Sequence, residues 1–175
     1  MARTLTITGR LASIHKKMEV TDAETGEVLY RVSSKAASIY HRTFVTDART
    51  GEQIAEIHAK PVSIHHIYYV DMADGPDFQL STELFHLKDI KNIPELGWQL
   101  RGNVLDFDFE VVDQKTDEVL ARGHRRLASL HRIYDLEVLD ESHLDELVCL
   151  FIVLKRRIDI RKNEQISDIG LTWPS

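Results

Sequence analysis

The segment at residues 142–160, SHLDELVCLFIVLKRRIDI, constrains the fold more than any other part of the chain. Its middle, residues 147–154, is apolar without interruption. A helix that is apolar on every side requires apolar partners on every side. The run is also far shorter than the roughly 20 residues of a membrane span. We therefore predict a central helix surrounded by sheet, and not a transmembrane segment.

Charged residues at both ends of this segment favour a helix over the alternative, a buried strand. Ser142 with Asp145 forms a weak capping box at the start. Lys155, Arg156 and Arg157 stand near the predicted end, where cations complement the helix dipole.

Composition places the chain among ordinary globular proteins. It has 175 residues, 43% of them hydrophobic and 29% charged, which suits one domain. A net charge of −6 and a pI near 5.8 argue against nucleic acid as a partner. The one cysteine, Cys149, excludes an intrachain disulfide, and the N-terminus lacks a continuous apolar signal region. We expect a cytoplasmic location.

Most of the remaining sequence is repetitive. Residues 11–35, LASIHKKMEVTDAETGEVLYRVSSK, align without a gap to residues 36–60, AASIYHRTFVTDARTGEQIAEIHAK. A third copy begins at residue 61 and then diverges, and residues 109–120 and 127–131 match parts of the first. Copies at this spacing, each with two alternating segments, are typical of antiparallel hairpins.

Each copy contains a short polar turn, TDAxTGE or a variant. Gly26 and Gly51 occupy the position where a positive φ is expected in a hairpin loop with a bulge, and Asp117 replaces them in the last copy. Counting all such segments, we predict about twelve strands.

A sheet of that size should close, and a closed twelve-stranded barrel is too wide for its own side chains to fill. The apolar helix fills the space. We therefore predict one mainly β domain over residues 1–175, an antiparallel closed barrel (core 4–160, tail 161–175) that encloses a helix at residues 144–158.

Three parts of the chain form a recognisable combination: the tandem units such as residues 35–53, the segment GWQLRGNVLDFDFEVVD at residues 97–113, and the terminal apolar helix. Together they resemble the LURP-one-related family, which belongs with the tubby C-terminal domain and the phospholipid scramblases. The resemblance implies a twelve-stranded barrel around a central hydrophobic helix and no catalytic residues. Lipid or phosphoinositide contact is implied only by the tubby and scramblase relatives. The sequence departs from the family in carrying histidines, as at His15, His65 and His131, where relatives carry aromatic residues.

The chain has nine histidines, which raises the alternative of a metal site. His15, Tyr40, His65 and His131 occupy equivalent positions in the repeats. Such positions spread around a barrel rim, whereas a metal needs three or four converging donors. We predict no metal and no cofactor.

Two patterns invite a catalytic reading. A serine recurs in each copy, with a histidine two residues later in three of them; these serines are Ser13, Ser38, Ser63 and Ser129. No copy shows the orienting group and oxyanion site that catalysis also requires. We therefore expect these serines to lie in turns and to bond to nearby backbone groups. Asp106, Asp108 and Glu110 alternate in sequence and are expected on a solvated outer strand face.

The basic residues that follow the apolar run are the candidate binding site: Lys155, Arg156, Arg157, Arg161 and Lys162. They would bind anionic lipid headgroups, each contributing about 1 kcal/mol near an anionic surface. The alternative is a solvated helix end that complements the dipole.

Three functions remain open at this point. The first is a non-enzymatic cytoplasmic binding domain with an unknown protein partner, as a monomer or weak homodimer. The second is a peripheral membrane protein that binds anionic phospholipid or phosphoinositide headgroups. The third is an enzyme, which requires a pocket with converging titratable groups.

Overall fold

The structure is a computed structural model. It describes residues 2–8, 17–34, 42–59, 67–81, 91–126 and 133–169. At residues 8 and 17, and from residue 160 onward, the description covers the backbone only.

Within these residues, twelve strands form one antiparallel sheet, as predicted. They are β1 (Arg3–Thr8), β2 (Lys17–Asp22), β3 (Val28–Ser34), β4 (Thr43–Asp47), β5 (Gln53–Ala59), β6 (Ile67–Met72), β7 (Phe78–Ser81), β8 (Lys91–Ile93), β9 (Trp98–Asn103), β10 (Asp108–Asp113), β11 (Val119–Arg126) and β12 (Ile133–Val138). The sheet order is β7-β6-β5-β4-β3-β2-β1-β12-β11-β10-β9-β8. The sheet therefore curls into a nearly closed barrel, in which β7 and β8 lie side by side without ladder pairs between their described residues.

The repeated turns adopt one geometry. In the first, the Gly26 N–H donates to the Asp22 carbonyl at 2.9 Å, and the Asp22 carboxylate accepts two further backbone N–H groups. Gly26, Gly51 and Asp117 have φ angles of 71°, 78° and 60°. The register shifts by one residue beside each of these turns, as between Val20 and Thr21. The predicted positive φ and bulge are thus confirmed.

The barrel has two different ends. The short turns that join β2 to β3, β4 to β5, β6 to β7, β8 to β9 and β10 to β11 lie at one end, which we call the turn end. Strands β2, β4, β6, β10 and β12 begin at the opposite end, which we call the loop end.

A long helix, α1 (Leu144–Ile169), runs from the turn end to the loop end. Near its start, the Tyr30 hydroxyl of β3 donates to the Asp145 carboxylate at 2.6 Å. Further along, the Arg156 guanidinium donates to the hydroxyl of Thr43, the first residue of β4, at 2.7 Å. The helix therefore passes through the barrel, as predicted.

The core surrounds the apolar run of α1. Every residue from 147 to 154 is at most 1% exposed. Phe151 meets the ring of Phe107 at 5.0 Å between centroids, and Phe107 in turn meets Tyr134 at 4.7 Å and Phe109 at 5.1 Å. These tilted and edge-on contacts add to the apolar burial that fixes the helix inside the sheet.

Several predicted boundaries were wrong. The helix begins at Leu144 and continues to Ile169 instead of ending near residue 160, so part of the predicted tail is helical. Asp140, not Ser142, provides the cap: its carboxylate accepts the Ser142 N–H of a short 3₁₀ turn (Glu141–His143) before α1. The strand predicted to carry Asp106, Asp108 and Glu110 starts only at Asp108, because Val104–Asp106 form another 3₁₀ turn.

Candidate functional site

The basic residues 155–157 lie in the middle of the helix. Lys155 and Arg157 are 5% and 9% exposed, and α1 continues for twelve residues beyond Arg157. Favourable interaction with a helix dipole is confined to the last turn. For Lys155 and Arg157 the interpretation as a solvated helix end was therefore wrong: both are buried at the loop end of the barrel, and Arg156 between them is half-buried.

Lys155 is held by two contacts. Its ammonium group pairs with the carboxylate of Asp159 one helical turn later. It also lies 5.1 Å from the ring centroid of Tyr134, on β12. A carboxylate and an aromatic face both stabilise a desolvated ammonium group, so Lys155 has local compensation for its charge.

Arg156 faces a different part of the barrel wall. Besides its hydrogen bond to Thr43, its guanidinium carbon lies 5.8 Å from the ring centroid of Tyr68, on β6. Burial lowers the pKa of Arg156, because the charged form loses hydration. Neither of these two partners carries a negative charge, so they orient the guanidinium without neutralising it.

Arg157 is the least compensated of the three. Among the described residues, its buried Nε has no hydrogen-bond partner, and no ion pair joins Arg157 to a carboxylate. A buried charged group without a partner costs several kcal/mol. An orphan donor of this kind marks a place where an external acceptor would lower the free energy.

Sequence reasoning missed one buried cation, Lys91 of β8. It is 5% exposed, and its register partner Leu100 and the next inward residue of its strand, Ile93, are both buried. The alternation of Lys91, Asn92 and Ile93 is the signal that places Lys91 inward, but a strand of three residues is too short to be recognised from it.

The other predicted candidates do not form a site in the described structure. Arg161 and Lys162 lie on α1, but their side chains are outside the description. Asp106 lies in a 3₁₀ turn, Asp108 is exposed on β10, and Glu110 pairs with Arg122 at 2.9 Å. The three carboxylates therefore do not form the single strand face that was predicted.

The histidine and serine positions of the repeats cannot be placed. His15, Tyr40, His65, His131 and the serines Ser13, Ser38, Ser63 and Ser129 all lie outside the described residues. Among the residues that are described, no three His, Cys, Asp or Glu side chains are arranged to hold a metal ion. Cys149 is buried in the helix, and burial raises the pKa of its thiol.

Comparison with known proteins establishes the family. The LURP-one-related family model matches residues 3–155. The chain belongs to the LURP-one-related family. A solved X-ray structure of a protein from Arabidopsis thaliana is similar, with a TM-score of 0.52 and 14% identity over 88% of this chain and 91% of that chain. At this identity the similarity shows the fold alone. No curated protein sequence matches the chain.

Within the described part of this LURP-one-related chain, α1 and the remaining helical segments are too short or too polar to cross a bilayer.

Proposed function

We propose that this LURP-one-related chain is a non-enzymatic cytoplasmic binding domain, and that it recognises an anionic group at the loop end of its barrel. The observation that carries the proposal is the orphan Nε of Arg157, in a side chain that is 9% exposed. Arg157 adjoins two further cations of α1, and Asp159 is the described carboxylate that pairs with this group. An anion supplied from outside would balance the remaining charge.

A purely structural role explains the same residues less well. Replacing a buried charge by an apolar residue of similar volume is often neutral or stabilising. Two buried cations with a half-buried third between them therefore cost more free energy than apolar residues that would fill the same space. They favour a ligand site over a packing role, and the anionic lipid headgroup is the ligand class on which we base the first test.

The test is sedimentation with phosphatidylcholine vesicles, with and without phosphatidylserine, at low and at physiological salt. We expect binding that requires the anionic lipid and weakens as salt screens the interaction. The double variant Arg156→Gln/Arg157→Gln should lose this binding. The matched control is Arg122→Gln/Arg126→Gln, which changes net charge equally but removes cations paired with carboxylates on the outer face.

Circular dichroism and urea unfolding show whether each variant remains folded. Equal loss in the two double variants, both folded, would mean that net charge alone drives vesicle association. Absence of vesicle binding at low salt would leave a soluble interaction domain with a protein partner.

A further inference from the structure

The twelve-stranded sheet ends in two short strands that face each other across the wall of the barrel. β7 has four residues and pairs with β6, and β8 has three residues and pairs with β9. Within the described part of the chain, no ladder joins β7 to β8, although the two strands lie side by side. We call the line between them the seam. Backbone pairing between described strands does not continue around the wall at this line.

A lysine on β8 points into the barrel beside the seam. Lys91 is 5% exposed and lies opposite Leu100 of β9, which is 1% exposed. Ile93, two residues further along β8, is also buried, whereas Asn92 between them is exposed. Because alternate residues of a strand point to opposite faces, the side chain of Lys91 lies on the inner face of the sheet.

The ammonium group of Lys91 has no ion pair or hydrogen bond with a described residue, but it is not sealed off from water. In the described structure, two buried side-chain nitrogen atoms lack a partner, His58 Nδ1 and Arg157 Nε, and Lys91 Nζ is not one of them. Its Nζ therefore keeps contact with water while its aliphatic stem is buried, as is common for long charged side chains. Since β8 is the last strand of the sheet, the seam is the nearest gap through which the ammonium group can reach water.

Closing the seam would remove this contact with water. A ladder between β7 and β8 would seal the wall over the ammonium group and leave a buried cation without a carboxylate. An isolated buried charge costs several times the net contribution of a backbone hydrogen bond. β8 has three residues, so a ladder would add only a few such bonds. The balance therefore favours an open seam for as long as residue 91 carries a charge.

The outer surface of the seam also shows incomplete closure. An open cleft of about 190 Å³ lies over it, lined by Ile67, Gln79, Ser81, Asn92, Pro94 and Glu95. Pro94 directly follows β8 and has no N–H group, so it cannot add a donor to a ladder there. The two edge strands are thus separated on their outer face by space that is open to solvent.

Strand length alone offers a simpler explanation. Strands of three and four residues could leave the seam unpaired whatever residue stood at position 91. The two explanations differ in what they predict for an apolar residue at this position. The seam should close if the charge holds it apart, and should not change if the strands are merely too short.

We propose that the charge of Lys91 holds the seam apart, and that the wall of the barrel opens first between β7 and β8. The seam then acts as a lateral gate whose position is set by one inward-facing cation. Local opening of this kind admits water and small solutes to the interior without unfolding of the whole sheet. The gate lies in a different part of the wall from the anion site proposed at the loop end, and it needs no ligand.

Trp98 reports on the seam directly. It is the register partner of Ile93 on β8 and is 2% exposed, and the chain has one further tryptophan, Trp173. In a Trp173→Phe parent protein, the fluorescence of Trp98 is quenched with acrylamide, a small neutral solute. Lys91→Met keeps a side chain of similar length without the charge, and should lower the quenching constant roughly twofold or more. Lys91→Arg keeps the charge and should be quenched as the parent is.

Hydrogen exchange gives a second readout. Backbone amides of β7 and β8 should exchange roughly tenfold more slowly in Lys91→Met than in the parent, because local opening becomes less frequent. Amides of β1 and β2, on the far side of the barrel, should be unchanged. The matched control is Arg125→Met, which removes an exposed cation of β11 that forms no ion pair with a described residue. It should change neither readout.

The results separate the charge from the strand length. Weaker quenching and slower exchange in Lys91→Met, with Lys91→Arg like the parent, would support a seam held apart by charge. Unchanged quenching and exchange in Lys91→Met would show that short strands alone leave the seam unpaired. A Lys91→Met protein that is less stable to urea than the parent, or fails to fold, would also overturn the gate, because an apolar residue should favour closure. No vesicle or anion is present in these assays, so their outcome is separate from that of the binding test.

Discussion

Gly123 and Phe109 provide a quantitative test of the packing between the sheet and the helix. They are register partners on β11 and β10, and the Phe109 ring covers the glycine. A Cβ added at Gly123 would lie 2.5 Å from Cζ and 2.9 Å from Cδ1 of that ring. Phe109 is 3% exposed and packs edge-on against Phe107, so its ring has little room to move. Gly123→Ala should therefore force the aromatic cluster apart.

The sign of the effect distinguishes this explanation from simple strand propensity. Alanine is ordinarily preferred to glycine inside a strand by about 0.5–1 kcal/mol. Overpacking a tight core costs about 1–3 kcal/mol, and carbon atoms at 2.5 Å are about 1 Å inside their optimal separation. We therefore expect Gly123→Ala to destabilise the protein by about 2 kcal/mol. That loss corresponds to a fall in Tm of roughly 4–8 °C for a chain of this size.

The assay is urea unfolding of wild type, Gly123→Ala, Phe109→Leu and the double variant. The smaller side chain of leucine leaves space for the new methyl group. Gly123→Ala should then cost less in the Phe109→Leu background, with a coupling energy of about 1 kcal/mol or more. A Gly123→Ala protein as stable as wild type, or an equal cost in both backgrounds, would refute the close contact.

Three other variants test the charges and hydrogen bonds of the barrel. Asp159→Asn should destabilise the protein by about 3 kcal/mol, because it leaves the buried ammonium of Lys155 without its carboxylate. Lys155→Met should cost much less. Equal urea midpoints for the two variants would contradict this asymmetry. Tyr30→Phe should cost about 1–2 kcal/mol in urea unfolding, because Asp145 loses its 2.6 Å hydrogen bond while the ring remains in place; an unchanged midpoint would show that the bond contributes nothing. The hydrogen bond from Arg3 lowers the pKa of Asp22 from 3.8 to about 2, so its stabilising contribution is complete above about pH 4 and is lost as pH falls through 2. In urea unfolding, Asp22→Asn should therefore lose less stability than wild type between pH 5 and pH 2. Asp74→Asn, at the same end of the barrel, serves as the control. Parallel curves of stability against pH for Asp22→Asn and wild type would disprove the contribution.

The parts of the fold that were predicted correctly depend on local patterns. A positive φ at Gly26 or Gly51 follows from turn chemistry within a few residues, and the helix follows from its continuous apolar run. Closure of the sheet around the helix follows from the number of strands and the volume that they enclose. The turns and the helix each leave a signal within a short window of the sequence, and closure follows once the strands are counted.

The candidate site depends on distant parts of the chain, and no short window shows it. The sequence identified Lys155, Arg156 and Arg157 as basic residues after an apolar run. A solvated helix end would have the same sequence pattern. Only the tertiary structure shows that α1 continues to Ile169 and that these cations are enclosed by the wall. Lys91 was missed because its strand of three residues is too short to be recognised from alternation. Sequence determined the elements, whereas burial of charge was decided by the closed sheet, because desolvation depends on everything that surrounds a group and not on its neighbours along the chain.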